Sequence, residues 1–441
     1  MQPRVVVVGG GLAGIAAAVM LADHGVAVSL LESRRRLGGR AGSFDDARTG
    51  EVLDNCQHVA MGACKVYIGL LQRLGVAGKM AWTNRQTWIQ PGGRRSVLRA
   101  WPLPGALAFA PSFARARFLS VADKASIGRA VRLAATADRT KLADVSFLEW
   151  LHQTRPTAQA IRRFWEPLII SACNLAPARA SAEVALHVVQ GAMLTGAQAA
   201  RIGMPMVPLG ELYDPMFGVL EDAGGSVALG SRVASIEPGR VTCADGSTFE
   251  GDAVICALDP TSANRLVSVD GSAPYEGVTF SPILGVHVRY DRAVLDVPHA
   301  VLVDGSVQWV FAKHGDGRSI HAVVSAADAW VGLGEQEISD RVVGEIAQYL
   351  PKARNARVEW ARPVLERRAT FAASPSFQPT RPGAGRLTDQ GCFLAGDATS
   401  TGWPATMEGA VRSGRGAAAA TLLEIGTPSD STRQPSLLRG R

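Results

Sequence analysis

The sequence predicts an α/β protein in which a parallel sheet is assembled from separated stretches of chain, with an α+β unit inserted between them. Three observations predict it. At the start, the β-branched run Arg4-Val5-Val6-Val7-Val8 leads straight into Gly9-Gly10-Gly11-Leu12-Ala13-Gly14 and the helix-forming stretch Ile15 to Ala22. Near the far end, Cys392-Phe393-Leu394 reads as a second buried strand, followed by Ala395-Gly396-Asp397 and an alanine-rich helix. Finally, 441 residues of 47% hydrophobic content are too many for one small core, and length alone suggests about three domains.

The elements follow in order. The opening strand, turn and helix carry G-x-G-x-x-G, a weak signal when it stands alone. Here it is followed by a second strand, Val26 to Leu31, that ends in Glu32 about 20 residues on, the context that a dinucleotide site requires. Gly9 permits the tight turn, Gly11 lets the backbone approach a pyrophosphate, and Gly14 allows close helix–strand packing. Leu12 and Ala13 open a helix whose free N–H groups and positive end face the phosphates, and Glu32 can accept both ribose hydroxyls. This is a Rossmann-like unit. Residues 230–258 read as strand, hairpin and strand, with Asp245-Gly246 at the turn. Residues 1–75, 205–275 and 376–426 are therefore expected to form a discontinuous cofactor-binding domain.

Residues 76–204 and 276–375 are left for the substrate domain. The first part reads as mostly helical, interrupted by Pro102, Pro104 and Pro111. The second alternates strands, such as Ile283 to Tyr290 and Val307 to Ala312, with a helix from Gln336 to Leu350. The polar stretch 427–441 is expected to be a disordered tail.

Composition excludes several classes. The six cysteines are dispersed, without a Cys-x-x-Cys pair, so the pattern predicts neither a zinc site nor a disulfide framework, and favours a reducing, cytoplasmic compartment. Only Met1 to Arg4 precede the first apolar run, which leaves no room for a cleavable signal. The net charge of +7 is concentrated between Arg94 and Lys141, where ten basic residues meet only Asp123 and Asp138. A basic patch can meet nucleic acid or anionic lipid. The same stretch holds Trp101, Leu103, Leu107, Phe109, Phe113, Phe118 and Leu119, which suits lipid and not nucleic acid. From Trp101 to Ala114 there is no charge, but that run is too short to span a bilayer of ~30 Å. A peripheral contact is expected.

Beyond Glu32, the stretch Ser33-Arg34-Arg35-Arg36-Leu37-Gly38-Gly39-Arg40-Ala41-Gly42-Ser43 resembles the second glycine pair and arginine of the amine oxidase and phytoene desaturase flavoproteins. Cys392 to Asp397 and Gly402 to Gly414 resemble their C-terminal block. That resemblance implies FAD, with Gly39 and Arg40 near its phosphates, Ser33 beside Glu32, and Val233 on the adenine side. It also implies Gly396 and Asp397 at the ribityl or phosphate end, and the helix entry at Met407 beside the flavin edge. Four places, Asp54-Asn55-Cys56-Gln57-His58, Phe164-Trp165-Glu166-Pro167-Leu168, Arg368-Ala369-Thr370-Phe371 and Gly402 to Gly414, resemble the squalene-associated group, the hydroxysqualene dehydroxylases of hopanoid synthesis. Gln57 and His58 then join the cofactor set. Cys56 stands where that group has glycine, which predicts a shifted but bound flavin.

The resemblance implies reductive dehydroxylation: hydroxysqualene loses its hydroxyl and receives a hydride from reduced FAD, giving squalene. Its setting would be the inner face of a bacterial cytoplasmic membrane, beside other enzymes of the squalene pathway. An allylic hydroxyl needs an acid to leave, and three residues are candidates. Glu166 lies in an apolar stretch that would raise its pKa, or else pairs with Arg162 or Arg163. His58 follows a strand-like piece near the flavin, or simply contacts FAD. Glu408 stands at the helix entry, where it either protonates substrate or holds backbone. Two other functions stay open: an oxidative carotenoid-type desaturase or amine oxidase, and a prenyl-binding protein without catalysis. The intact Glu32, Arg40 and Asp397 weigh against the last.

Overall fold

The computed structural model describes residues 2–426, and the expected tail at 427–441 lies outside them. Val5 to Val8 are all buried because the strand Arg4–Val8 is the middle of a five-stranded parallel sheet. The order is Ser226–Leu229, Ala27–Glu32, Arg4–Val8, Ala253–Cys256, Cys392–Leu394. Counted along the chain this is third, second, first, fourth, fifth, the arrangement of a dinucleotide-binding sheet. Ser226–Leu229 was not expected: it is a short edge strand, only partly buried, and its pattern carries little apolar signal. Between it and Ala253–Cys256 the chain forms three antiparallel strands, Val233–Glu237, Arg240–Cys243 and Thr248–Glu250, and Asp245-Gly246 makes the second of their two turns.

A second, seven-stranded sheet runs Val358–Phe371, Phe280–Tyr290, Ser319–Ser325, Trp309–Lys313, His299–Leu302, Arg85–Ile89, Arg95–Arg99. Strand alternation divides its residues between two faces. Leu284, Val286, Val288, Ala300, Leu302, Val310, Ile320, Ala322 and Val324 share one core with Ile338, Val342 and Ile346 of the helix Glu335–Tyr349. The opposite face carries His287, His299, Trp309, Phe311, Lys313, His321 and Val323. Residues 76–204 are less helical than expected, because Arg85–Ile89 and Arg95–Arg99 form the edge of this sheet. The hairpin signal is Thr87, Trp88 and Ile89 followed by Pro91-Gly92-Gly93. Met80–Thr83 also pairs with the strand Ile202–Pro205; between these strands the segment is mostly helical, and its aromatic core joins Trp88, Phe113, Phe118, Phe147, Trp150, Phe164 and Trp165.

Candidate functional site

The opening motif is built as an anion cradle. Gly9 takes φ +110° and its N–H bonds the Leu31 carbonyl at 2.8 Å. Gly14 lies so close to that turn that a Cβ there would collide with the Gly9 carbonyl oxygen. The helix Leu12–Asp23 starts at Gly11 with no side-chain cap and no acidic residue in its first turn, so its N–H groups at Leu12 and Ala13 remain free for a phosphate. A side chain at Gly11 would meet nothing within 4 Å, and Gly39 packs against Gly11 from the other side. Glu32 is buried with its carboxylate set in place: Oε2 accepts the Gly10 N–H at 2.8 Å, and Oε1 accepts the Arg34 N–H at 2.8 Å and the Ser33 hydroxyl at 3.1 Å. Ser231 N–H bonds the Glu32 carbonyl at 2.9 Å, which brings Val233 alongside.

Two distant segments close this groove. Arg40 reaches Asp397 at 2.5 Å and the Ala369 carbonyl at 3.1 Å, so the second glycine pair, the Arg368 to Phe371 strand and the C-terminal block meet at one guanidinium. Gly396 N–H bonds Ser413 Oγ at 2.9 Å. The loop from Asp397 to Trp403 is shaped by Arg381, which is buried. Arg381 donates to the carbonyls of Asp397 at 2.9 Å, Ala398 at 3.1 Å, Trp403 at 3.1 Å and also Thr399, while stacking 4.7 Å over Phe371. Burial pulls its pKa down to about 10. Thr406 caps the helix Met407–Glu424 through the Gly409 N–H at 3.2 Å.

A third cluster stands where a two-stranded ribbon, Ser43–Asp46 with Glu51–Asp54, meets the seven-stranded sheet. Asp54 is buried and accepts from Ser43 Oγ at 2.8 Å, Leu209 N–H at 3.0 Å and Lys313 Nζ at 3.0 Å. Burial alone would raise its pKa, but Lys313 and these donors win, and the carboxyl lies below its ordinary value. Lys313 also donates to Gln57 Oε1 at 3.2 Å. His287 Nε2 bonds the Asp54 carbonyl at 3.1 Å and stacks on His321 at 3.8 Å. His58 bonds the Cys56 carbonyl through Nδ1 at 3.1 Å, and burial lowers its pKa. Cys56 packs with Phe311 and Val323, and burial pushes its thiol up to about 12, so it is neutral.

The groove fits the flavin nucleotide: an uncapped helix start, a glycine cradle and a pre-set acidic acceptor are the features its pyrophosphate and ribose need. A model of flavin containing amine oxidoreductases matches residues 12–422. The chain belongs to that family. Within it, the chain is 30% identical over 453 residues to the hydroxysqualene dehydroxylase of Sinorhizobium fredii, covering 97% of this chain and 100% of that one. It is 30% identical over 440 residues to the enzyme of the same name from Rhodopseudomonas palustris, covering 95% and 98%. A zeta-carotene desaturase of Zea mays is 26% identical over 93% of this chain and 82% of its own. In fold, the cyclohexylamine oxidase of Brevibacterium oxydans superposes with a TM-score of 0.68 at 20% identity, covering 97% of this chain and 100% of that one. The chain is thus an FAD-dependent oxidoreductase of the hydroxysqualene dehydroxylase group.

Two of this oxidoreductase's candidate acids have their neighbours outside the Lys313 cluster. Glu408 is fully buried: it accepts the N–H groups of Val66 at 3.2 Å and Tyr67 at 2.7 Å, at the start of the helix Lys65–Arg73, and Arg412 Nε at 2.7 Å. These contacts anchor the start of that helix. Glu166 is half-buried at the start of the helix Glu166–Cys173, and burial raises its pKa against the pull of Arg162, with Asp304 also near. Asp304, which binds Arg162 and Arg163, lies in the turn at the end of the strand Trp309–Lys313 away from Lys313. His58 is the one candidate acid that stands in that cluster.

The residues that sequence reading missed are Lys313, Arg381, His287, His299 and His321. A signal existed for all but Arg381. In Val286-His287-Val288, His299-Ala300-Val301, Phe311-Ala312-Lys313 and Ile320-His321-Ala322, polar or aromatic residues alternate with aliphatic ones, which marks a face that does not belong to the aliphatic core.

Proposed function

We propose that this oxidoreductase removes the hydroxyl of hydroxysqualene reductively, giving squalene and water. The observation that carries this reading is the Lys313 amine, held by Asp54 beside the cofactor groove on a sheet face that also carries Trp309, Phe311 and Val323. A long hydrocarbon suits such a face, and an allylic hydroxyl needs one proton to leave as water. Reduced FAD, when bound, supplies the hydride that replaces it. The balance is one alcohol, one hydride and one proton giving one hydrocarbon and one water. Lys313 Nζ donates that proton, held in position by Asp54 at 3.0 Å and Gln57 at 3.2 Å. Gly9, Gly11, Leu12, Ala13, Gly14, Gly39 and Arg40 would hold the pyrophosphate end of the cofactor. Glu32, Ser33 and Val233 would hold the adenosine. Gly396, Asp397 and Met407, with Gln57 and His58, would line the flavin side. The full-length similarity to two enzymes named for this reaction supports the reading.

Anaerobic incubation of the photoreduced protein with hydroxysqualene should yield squalene by mass spectrometry, one equivalent per flavin oxidised. The second reading is a carotenoid-type desaturation, favoured by the similarity to the zeta-carotene desaturase. Flavin that stays reduced with hydroxysqualene, but that is reduced from its oxidised form by a polyene hydrocarbon, would establish that alternative. Desaturation removes hydrogen and protonates no leaving group, so it gives the Lys313 ammonium no task.

We further propose that the Arg94–Lys141 segment meets an anionic lipid surface, where such a substrate resides. Trp101, Leu103, Leu107 and Val121 are exposed there, among arginines that include Arg94, Arg115, Arg117 and Arg132. Phe118 and Leu119, also expected on that surface, instead belong to the buried core.

A further inference from the structure

The inner face of the seven-stranded sheet carries a polar group that the reaction above leaves unused. His299 is opposite Phe311, Phe311 is opposite His321, and His321 is opposite His287, one row across four strands. Within it, His287 is bonded to the Asp54 carbonyl. His321 has no hydrogen bond, but it lies stacked on His287 and closed over Gly285, where a Cβ would collide with its Nε2. His299 differs. It is 2% exposed, neither ring nitrogen has a partner among the described residues, and its aromatic neighbours are Trp309 at 5.6 Å and Phe311 at 6.0 Å. Burial pulls its pKa down to about 4, so the ring is neutral at physiological pH and presents one N–H donor and one bare nitrogen acceptor. A buried polar group with neither function satisfied is costly, and few native side chains are left so.

Its position says what could satisfy it. Lys313 is two residues beyond Phe311 on the same face, and the ladder continues past His299 through the Ala312 N–H to the Pro298 carbonyl at 2.9 Å. Lys313 and His299 are therefore diagonal neighbours, with Cβ atoms about 7–8 Å apart. Both side chains rise from the same sheet face, next to Phe311.

We infer that His299 is a specificity-determining residue that receives the hydroxyl of the substrate, hydrogen-bonding its oxygen from the side opposite Lys313. This rests on the dehydroxylase reading. A hydrocarbon of the same length leaves the imidazole unpartnered, so the site selects the alcohol over its own product. Discrimination of this kind is strong, because the wrong ligand strands a buried polar group.

Binding to the oxidised, FAD-loaded protein tests it without turnover. Detergent-solubilised hydroxysqualene and squalene are titrated against the wild type and against His299→Phe and His299→Leu, following the flavin absorbance band. Both variants are apolar but differ in shape, and either one that retains FAD gives the result. The wild type should bind the alcohol at least about tenfold more tightly than the hydrocarbon. The variants should bind the two about equally, with the squalene affinity unchanged or higher. His299→Gln, which keeps a donor and an acceptor, should recover most of the preference. A variant that keeps the wild-type preference overturns the role of His299 and leaves the dehydroxylase reading standing. A wild type with no preference, and no squalene formed in the anaerobic assay, overturns both.

Discussion

At the scale of single residues, the proton holder is decided by which charged group faces the cofactor groove. Lys313, bonded to Asp54 at 3.0 Å and Gln57 at 3.2 Å, is the holder we propose, although the sequence context of Glu166 is the more suggestive. Lys313→Arg is the sharper test, because it keeps a cation for Asp54. Removing the charge altogether would leave a buried carboxylate unpaired, at a cost of about 3–5 kcal/mol. A guanidinium remains protonated under all ordinary conditions and cannot give its proton up. Lys313→Arg should therefore retain FAD and thermal stability while squalene formation falls about 100-fold or more. Glu166→Gln should leave turnover within about twofold. Near-normal turnover in the Lys313→Arg protein, or its loss in the Glu166→Gln protein, would reverse the assignment. The carboxylate of Glu32 was legible from sequence because its function is local: strand end, glycine turn and acid lie within one βαβ unit. Lys313 was not, because its partner Asp54 is 259 residues away, on a two-stranded ribbon that only the tertiary fold lays against the Lys313 strand.

At the scale of elements, the cofactor groove depends on two helices that start beside it, Leu12–Asp23 and Met407–Glu424, and that pack tightly on each other. Gly414 makes that packing possible. It sits in mid-helix, where glycine costs about 1 kcal/mol relative to alanine, and a Cβ there would collide with the Ala13 carbonyl oxygen. The collision is with backbone, so neither partner can give way by rotating a side chain. Gly414→Val should lower stability by about 3 kcal/mol or more and tilt the Met407 helix away from the groove. A fall in melting temperature together with a weaker FAD affinity, read by flavin release, is the expected outcome. Intact FAD binding in a stably folded Gly414→Val protein would show that the crossing does not set the groove. Elements with apolar runs, Arg4–Val8 and Phe280–Tyr290, or with apolar residues at helical spacing, Glu335–Tyr349, were legible within a few residues. Short edge strands, Ser226–Leu229 and Arg95–Arg99, were not, because an edge strand half open to solvent needs no apolar run.

At the scale of the molecule, charge and apolar exposure coincide on one stretch. No helix among the described residues is long and apolar enough to cross a membrane. The exposed Trp101, Leu103 and Leu107 lie in or beside a short turn, Gly105–Ala108, and Arg99 stacks 4.9 Å from the Trp101 ring. Some of the basic residues have internal duties: Arg129 spends its guanidinium on the carbonyls of Thr154 and Arg155, and Arg95 pairs with Asp296 at 2.7 Å. Arg94, Arg115, Arg117 and Arg132 are exposed, and they are the ones to change. Each basic side chain near an anionic surface contributes up to about 1 kcal/mol, falling off over a Debye length of roughly 8 Å at physiological salt. Apolar insertion adds a part that salt does not screen. Co-sedimentation with liposomes should therefore rise with anionic lipid content and fall with salt. Changing the four arginines to Gln should weaken it about tenfold or more, whereas Trp101→Ala with Leu107→Ala should weaken it at every salt concentration alike. Binding indifferent to lipid charge, or unmoved by either set of changes, would mean that this face serves no membrane and that the substrate reaches the enzyme from a partner protein.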